Sequence, residues 1–272
     1  MKKLFLQLSL LAVLPFFIQG QDVEPLEEKF QVNNTDDNWV AQLEDTGTED
    51  WQKHWFLDGE IATVDTTEDG MHLQAGPEKG NDAHHAVLWT KKSFEGDVKI
   101  TYEYTKTDTL DQYVNILYIQ ATGIENDPFT KDIFDWRVLR AVPKMSSYFR
   151  YMNAFHISYA AFSKEERRQY VRARRYPVTA QRTFKETMIT PSYDNEVGTI
   201  KDGVTYSITA IKTKDHLFFK VDGDGRAKIF SWNISHEKKI GEGRIGFRNM
   251  FARCALYKNV KIYTTSDLRS QD

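Results

Sequence analysis

The chain has 272 residues, with 36 basic and 39 acidic side chains and a formal net charge of −3. This mildly acidic balance argues against nonspecific nucleic-acid binding, which needs a broad positive surface. A single cysteine, Cys254, excludes an internal disulfide and a zinc site built on cysteines.

The N-terminus has the pattern of a cleaved export signal. Lys2 and Lys3 precede an apolar stretch at residues 4–18, and Ile18-Gln19-Gly20 resembles a cleavage site. The apolar stretch is interrupted by polar residues and is short for a membrane span. We therefore predict a signal peptide over residues 1–20, export to the periplasm or the medium by a bacterium, and no membrane insertion of the mature chain. Loss of the two lysines changes the net charge from −3 to −5.

The remaining residues predict one large β domain. Residues 21–50 are polar and acidic and suggest an extended lead-in. Short strand-like runs separated by turn residues then fill residues 51–265, and no segment has a helical period. Residues 126–147 break this pattern and predict a long loop with at most one helical turn. We predict an all-β fold, an antiparallel β-sandwich of the concanavalin-like jelly-roll type with long loops.

The most informative stretch is Tyr148–Arg175. Its first half alternates as a strand, which places His156 and Ser158 on one face and Tyr159 on the other. Its second half, residues 164–175, is strongly basic. Histidine, serine and tyrosine beside guanidinium groups suit recognition of an anion with proton transfer close by. The alternative is an ordinary strand followed by a solvated, charged loop.

Two other strands carry candidate binding groups. His85, Val87 and Trp89 share one face of a predicted strand, which suits either a sugar platform or plain packing. The adjacent His84 points to the opposite face, so a two-histidine metal site is not expected. Arg248 shares a face with Gly246 in a later strand, where it could clamp a carboxylate or lie in solvent.

Several signatures of other chemistries are missing. The sequence contains no G-x-S-x-G elbow, no H-E-x-x-H motif and no glycine-rich phosphate loop. It also lacks the E-x-D-x-x-E spacing that marks the paired acids of jelly-roll glucanases. No cofactor and no metal ligand set is predicted, although a structural cation such as calcium stays open because oxygen-ligand sites leave weak sequence traces.

The segments HHAVLW, MNAFHISY and GRIGFRNM resemble the YesU-like family, a group of bacterial concanavalin-like jelly-roll domains linked to breakdown of acidic polysaccharides. The resemblance extends from about Asp58 to Tyr263, and it weakens after Arg172. The positions that carry the family pattern are His85, Val87, Trp89, Asn153, His156, Ser158, Tyr159, Arg172, Gly246, Phe247, Arg248 and Met250.

The resemblance implies a carbohydrate context, and the side chains themselves suggest a reaction. β-Elimination from a uronate removes the C5 proton and expels the oxygen on C4, which requires a base, an acid and a clamp on the carboxylate. We therefore expect a lyase or oligosaccharide dehydratase that forms an unsaturated uronate from a ulvan-like or rhamnogalacturonan-like partner. The alternatives are a noncatalytic carbohydrate-binding module and a glycoside hydrolase.

Residue roles follow from this expectation. The predicted catalytic residues are His156, Tyr159 and His85. The predicted substrate-binding residues are Asn153, Arg150, Arg172, Arg248, Trp89 and Ser158. Because alternation separates His156 from Tyr159, the two share a site only if a bulge intervenes, and otherwise His85 is the better partner of His156.

Overall fold

The computed structural model describes residues 25–35, 37–164, 166–194 and 199–265. The predicted signal peptide and the first residues of the predicted lead-in lie outside these ranges. The helices are α1 (Leu26–Asn34) and α2 (Met145–Tyr151), with single 3₁₀ turns at Trp51–Lys53, Asp82–His84 and Arg137–Arg140. The strands are β1 (Val40–Asp45), β2 (Trp55–Asp58), β3 (Thr63–Thr67), β4 (Gly70–Gln74), β5 (Ala86–Thr90), β6 (Phe94–Glu95), β7 (Asp97–Lys106), β8 (Asn115–Gly123), β9 (Met152–Phe162), β10 (Gln169–Tyr176), β11 (Met188–Asp194), β12 (Thr205–Lys212), β13 (His216–Gly223), β14 (Arg226–Asn233), β15 (Glu242–Asn249) and β16 (Cys254–Thr265).

These strands form two antiparallel sheets, which confirms the predicted jelly-roll class. The first sheet has the order β14-β13-β12-β7-β16-β4-β3, with β1 paired to β16. The second sheet has the order β11-β10-β9-β8-β15-β5-β2, with β6 paired to β15. Neighbours in space are often distant in sequence, as in the pairing of β8 with β15, so long-range ladders define the fold.

The main core lies between the two sheets. Ile100 and Tyr102 of β7 face it from the first sheet, and Ile245 and Phe247 of β15 face it from the second. Alternation along each strand places these side chains inward. Complete burial of one such side chain contributes roughly 1.5–3 kcal/mol, so this core accounts for much of the stability of the domain.

The outer face of the second sheet carries a second apolar cluster. Residues 124–151, which we call the roof, cover this face, and Ile133, Trp136 and Tyr148 from the roof pack against Val87 and Trp89 of β5. Because both faces of the central strands are covered, β5 and most of β9 are buried without interruption. Such covered faces explain the continuous apolar runs in the sequence.

Three local predictions were wrong, two about helices and one about the basic stretch. The N-terminal stretch is not simply extended, because residues 26–34 form α1, whose Phe30 is buried against Ile211 and Phe218. The predicted long loop ends in α2, another helix without a clear sequence period. Tertiary contacts therefore stabilise short helices that the hydrophobic pattern does not reveal.

The basic stretch is not a solvated loop throughout, because its second half forms strand β10. Val171 and Ala173 face the inter-sheet core, while Arg172 and Arg174 alternate with them. The guanidinium of Arg172 stacks on the ring of Tyr170, and that of Arg174 stacks on the ring of Phe184. These cation–π contacts cover the long arginine side chains and allow a strand in a segment that composition marks as loop.

Candidate functional site

Two rows of side chains cross the outer face of the second sheet beneath the roof. Antiparallel partners point to the same side of a sheet, so the strand register defines each row. The first row contains Phe56, Trp89, Gly246, Tyr118, His156 and Arg174. The second row contains Asp58, Val87, Arg248, Ile116, Ser158 and Arg172. Five of the predicted site residues, from β5, β9, β10 and β15, therefore lie on one surface.

Arg248 lies at the centre of this surface and is completely buried. Its Nη2 donates to the carbonyl oxygen of Pro143 in the roof over 2.7 Å and contacts Nδ1 of His85. The ring of Tyr148 lies 4.6 Å from the guanidinium carbon. Among the residues that the structure describes, no carboxylate forms an ion pair with Arg248, and its Nε and Nη1 have no hydrogen-bond partner. Arg248 is thus a buried cation with unused donors.

His85 lies beside Arg248 and is also buried. Its ring packs on Phe251 at 4.5 Å, and its Nε2 has no partner among the described residues. Burial and then the positive charge of Arg248 lower the pKa of His85 to about 3. At neutral pH the imidazole is therefore uncharged.

His156 forms a short chain of hydrogen bonds with two hydroxyl groups. Its Nδ1 lies 2.7 Å from the hydroxyl of Tyr176, and its Nε2 lies 2.5 Å from Oγ of Ser158. The side chain is only 2% exposed. Burial, followed by the charges of Arg174 and Arg248, holds the pKa of His156 well below its usual value. A neutral imidazole between two hydroxyls can accept a proton at one nitrogen and release one at the other.

Aromatic rings from β5, β8 and α2 form a stack beside Arg248. Trp89 stacks on Tyr118 with ring centres 5.2 Å apart, and Tyr148 stacks on both. Gly246 is required beneath this stack, because a Cβ there would lie 2.5 Å from the Trp89 ring. Trp89 was predicted to stack on a sugar, and this prediction was wrong, since its indole is buried beneath Tyr148.

Asp58 joins this aromatic stack to the roof through hydrogen bonds. Its carboxylate accepts hydrogen bonds from the indole N–H of Trp89, the guanidinium of Arg140 and the hydroxyl of Tyr148. One donor lies on β5, and the other two lie in the roof, in its 3₁₀ turn at Arg137–Arg140 and in α2. A buried carboxylate with three donors orders these three elements. Asp58 is thus a positioning group for Tyr148, which lies over Arg248.

Tyr159 does not share a site with His156. It lies in the inter-sheet core, where its ring packs edge-on against Tyr104 at 5.1 Å. The bulge between β8 and β9 occurs near the start of β9 and leaves the alternation between residues 156 and 159 unchanged. The predicted pairing was therefore wrong, and Tyr176 occupies the place at His156 that we expected for Tyr159.

Three other predicted binding residues lie apart from Arg248 or already have partners. Asn153 donates to the carbonyl of Gly123 over 3.0 Å, at the far end of β9. Arg150 is exposed on α2, and the structure does not place it at the two rows. Arg172 lies in the second row, but its guanidinium donates to Asp194 over 2.6 Å. Ser158 is in place beneath the roof and bonds to His156.

Sequence reasoning missed Tyr118, Tyr176, Tyr148 and Asp58. Tyr118 lies in an apolar run whose two faces are both buried, so alternation cannot show which side it faces. Tyr176 ends the basic stretch and was grouped with the loop. Strand pairing across the sheet brings these residues to His156 and Arg248, and no local sequence signal reports that pairing.

A metal centre has little support in the described part of the chain. Among residues 25–35, 37–164, 166–194 and 199–265, no group of three or more His, Cys, Asp or Glu side chains could hold an ion. Within the same ranges, no helix is both long and apolar enough to cross a membrane.

Comparison with protein families identifies the chain. Residues 43–262 match the model of a domain of unknown function, DUF1961. The chain belongs to the DUF1961 family. No curated protein sequence matches it significantly.

Solved structures similar to this DUF1961 protein have the same sandwich architecture. A protein of unknown function with a galectin-like fold from Bacillus subtilis is 18% identical, with a TM-score of 0.63 over 83% of this chain and 96% of that chain. Basic winged bean lectin with Tn-antigen is 6% identical, with a TM-score of 0.54 over 83% and 98%. The exoplasmic domain of VIP36 bound to Ca²⁺ and Man3GlcNAc is 9% identical, with a TM-score of 0.53 over 85% and 94%. At these identities the likeness concerns the fold alone.

Proposed function

We propose that this DUF1961 protein binds an acidic saccharide beneath the roof, with the carboxylate of a uronate on Arg248. The observation that carries the proposal is the burial of Arg248 without a carboxylate partner among the described residues. An unpaired buried charge costs several kcal/mol, and a ligand carboxylate would offset that cost with charge-assisted hydrogen bonds. We call the free donors of Arg248, together with His85 and Tyr118 beside them, the anion seat.

The surroundings of the anion seat suit a sugar. Met145, Phe149, Tyr170 and Met250 pack against the buried cluster and remain half exposed, so they form a rim with apolar surface. A saccharide would enter from this rim, and its carboxylate would accept from Nε and Nη1 of Arg248 while Nη2 stays bonded to the Pro143 carbonyl. Rings with one apolar face and polar edges pack well on such side chains.

Structural relatives support a carbohydrate ligand in general terms. Winged bean lectin and VIP36 have this fold and are described with sugars bound. The resemblance to the YesU-like family adds acidic polysaccharides, ulvan-like or rhamnogalacturonan-like, as the class to test. Export by a bacterium remains a prediction, because the signal segment lies outside the described residues.

Calorimetric titration with uronate-containing oligosaccharides tests the binding proposal. Arg248→Met should weaken binding at least about thirtyfold, because loss of one partner of a buried charged contact costs about 2–5 kcal/mol. Arg226→Met is the matched control, since the same change at an exposed position of β14, in the other sheet, should leave affinity unchanged. Equal affinity of the Arg248 variant and the wild type would refute the anion seat, and no binding of any acidic saccharide would refute the function.

A second candidate function is β-elimination from the bound uronate. The observation that favours it is the hydrogen-bonded chain of Tyr176, His156 and Ser158, which lies on the same outer face as Arg248 with β8 between them. Arg248 would neutralise the carboxylate as charge develops on it, and this chain would accept the C5 proton. The C5–H electron pair would form the C4–C5 double bond as the C4–oxygen bond breaks and its electron pair leaves with the oxygen. The hydroxyl of Tyr176 would donate its proton to that oxygen and regain one from His156. Tyr176 replaces Tyr159 as the counterpart of His156.

Ultraviolet absorbance distinguishes elimination from binding alone. A C4–C5 double bond conjugated to the carboxylate absorbs where the saturated sugar does not, so turnover produces a rising signal. Saccharides that bind without such a signal would leave a noncatalytic binding module. Glycoside hydrolysis is less favoured, because Asp58 is the one carboxylate in the two rows and Arg140 already neutralises it.

A further inference from the structure

We propose that His85 is a fixed hydrogen-bond donor of the anion seat, and that it makes the seat selective for an ionised, unesterified carboxylate. This inference rests on the proposed function. It assigns His85 a role in specificity rather than as an acid or base in a reaction. The evidence is the arrangement of donors and acceptors around Arg248.

The contacts of His85 determine which of its ring nitrogens carries the proton. A guanidinium has hydrogen-bond donors and no acceptor, so Arg248 Nη2 can only donate to Nδ1 of His85. The same Nη2 carries a second hydrogen, which it donates to the carbonyl of Pro143. Nδ1 of His85 also lies 3.2 Å from the Pro143 carbonyl oxygen, an acceptor that would suit a proton on Nδ1. The closer contact with the Arg248 donor leaves room for one hydrogen only between Nη2 and Nδ1, and that hydrogen belongs to Arg248, so Nδ1 keeps its lone pair and the neutral ring carries its proton on Nε2.

The N–H group at Nε2 of His85 belongs to a set of buried donors around Arg248. Nε2 of His85 is buried and has no partner among the described residues. The N–H groups at Nε and Nη1 of Arg248 are in the same condition. Arg248 links these groups to His85, because its guanidinium contacts the imidazole directly. A buried donor without an acceptor costs roughly 1–3 kcal/mol, so all of these groups favour a ligand that accepts.

The donors around Arg248 determine which chemical group of a ligand fits them. An ionised carboxylate offers two oxygens with only lone pairs, which matches a set of donors. The Pro143 carbonyl, which could accept from a ligand, is already occupied by Arg248. A hydroxymethyl group brings a hydrogen that must find an acceptor, and a methyl ester loses the charge and adds bulk. The seat should therefore discriminate a free uronate from its methyl ester and from the neutral sugar.

The histidine is suited to this role and poorly suited to proton transfer. Imidazole with its pKa lowered by burial and by Arg248 stays neutral across the physiological range. A neutral ring held by Arg248 presents the same N–H at every pH where the saccharide is ionised. Its tautomer does not have to change when the ligand binds.

Nuclear magnetic resonance of the ring nitrogens tests the tautomer in the wild-type protein without any ligand. We expect the neutral form with hydrogen on Nε2 from pH 7.5 to 5.5. A protonated ring, or hydrogen on Nδ1, would overturn the proposal whatever the protein binds. Addition of acetate, the simplest carboxylate, should shift the Nε2 signal, and the absence of any shift with both acetate and methyl glucuronoside would overturn it as well.

Two substitutions then test the contribution to affinity. His85→Gln places an amide N–H near the position of Nε2, whereas His85→Asn places it near Nδ1. The Gln variant should bind methyl glucuronoside within about threefold of wild type, and the Asn variant should bind it tenfold to a hundredfold more weakly, as expected for one hydrogen bond to a charged group. The wild type should also prefer the glucuronoside to its methyl ester and to methyl glucoside by at least tenfold.

The outcomes separate this inference from the proposed function. Equal affinity of the Asn variant and the wild type would overturn the role of His85 while leaving saccharide binding intact. A shift with acetate but no binding of any saccharide would support the anion seat and refute the carbohydrate function.

Discussion

The guanidinium of Arg248 donates to the carbonyl of Pro143 across 2.7 Å, which joins the centre of the second sheet to the roof. A backbone carbonyl carries only a partial charge, so it compensates a buried guanidinium much less than a carboxylate does. Arg140, in the same roof, has a carboxylate partner in Asp58 at 2.6 Å. Arg140 in the roof and Arg248 beneath it are thus buried arginines with different partners. This difference predicts that Arg248 serves binding and that Arg140 serves stability.

Replacement of the two arginines by methionine should have opposite effects on stability. Arg248→Met removes an uncompensated charge and keeps the volume, so the free energy of unfolding should stay equal or rise by about 1–4 kcal/mol. Arg140→Met leaves Asp58 buried without its cation and should lower the free energy of unfolding by about 3–5 kcal/mol. Chemical denaturation of both variants at pH 7.5 measures this. A strong loss of stability in the Arg248 variant would show that this arginine is structural.

The same two arginines illustrate how much the sequence predicts. Alternation correctly placed Arg248 on the outer side of β15 and Phe247 on the core side, because side-chain direction is a local property of a strand. It could not show that Arg248 is buried, because burial depends on the roof, whose Pro143 lies 105 positions away in the chain. Arg140 had no signal at all, since its role depends on Asp58, which lies 82 positions away.

The tyrosines also show what strand alternation can predict and what it cannot. Alternation separated Tyr159 from His156, and the structure confirms that separation. The tyrosine that does reach His156 is Tyr176, on a neighbouring strand, and only the register of β9 with β10 brings it there. Side-chain direction was thus predictable from the sequence, and strand neighbours were not.

Stability should fall as the pH decreases below about 6.5. Burial lowers the pKa of His85 to about 3 and that of His156 well below 6.5, so the unfolded chain binds protons that the folded chain does not. The stability that these histidines contribute is fully present above pH 6.5 and is lost as the pH falls toward the folded values. Between pH 7.5 and 5.5 His85 should account for about 1.4 kcal/mol, and His156 should act in the same direction.

Asp97 opposes this trend, because burial raises its pKa to about 6 and the folded chain binds its proton below that pH. Comparison with His85→Gln isolates one histidine, since the contribution of Asp97 is common to both proteins. The variant should lose about 1.4 kcal/mol less than the wild type between pH 7.5 and 5.5. Identical pH dependence of the two proteins would mean that His85 is not held neutral in the fold.

Two Tyr→Phe substitutions should separate the site from the core. Tyr176→Phe removes the hydroxyl that lies 2.7 Å from His156, so elimination, where it occurs, should fall by about 10²–10⁴ while the affinity for saccharide changes little. Tyr159→Phe removes a hydroxyl that is buried in the inter-sheet core near those of Tyr102 and Tyr257, away from His156, so turnover should stay unchanged. Absorbance assays and thermal unfolding of both variants measure this. Loss of turnover in the Tyr159 variant with normal turnover in the Tyr176 variant would reverse the assignment.

Gly246→Ala should disturb the anion seat through packing alone. A Cβ at this position would lie 2.5 Å from the ring of Trp89, and the ring cannot retreat because Tyr118 and Tyr148 stack with it. Such overpacking typically costs about 1–3 kcal/mol, and displacement of the stack should also move Tyr148 away from Arg248 and weaken saccharide binding. Gly241→Ala is the matched control, since a Cβ there meets no atom within 4 Å. Thermal unfolding and calorimetric titration of the two variants measure both effects, and normal affinity in a destabilised Gly246 variant would show that the aromatic stack supports the fold without shaping the seat.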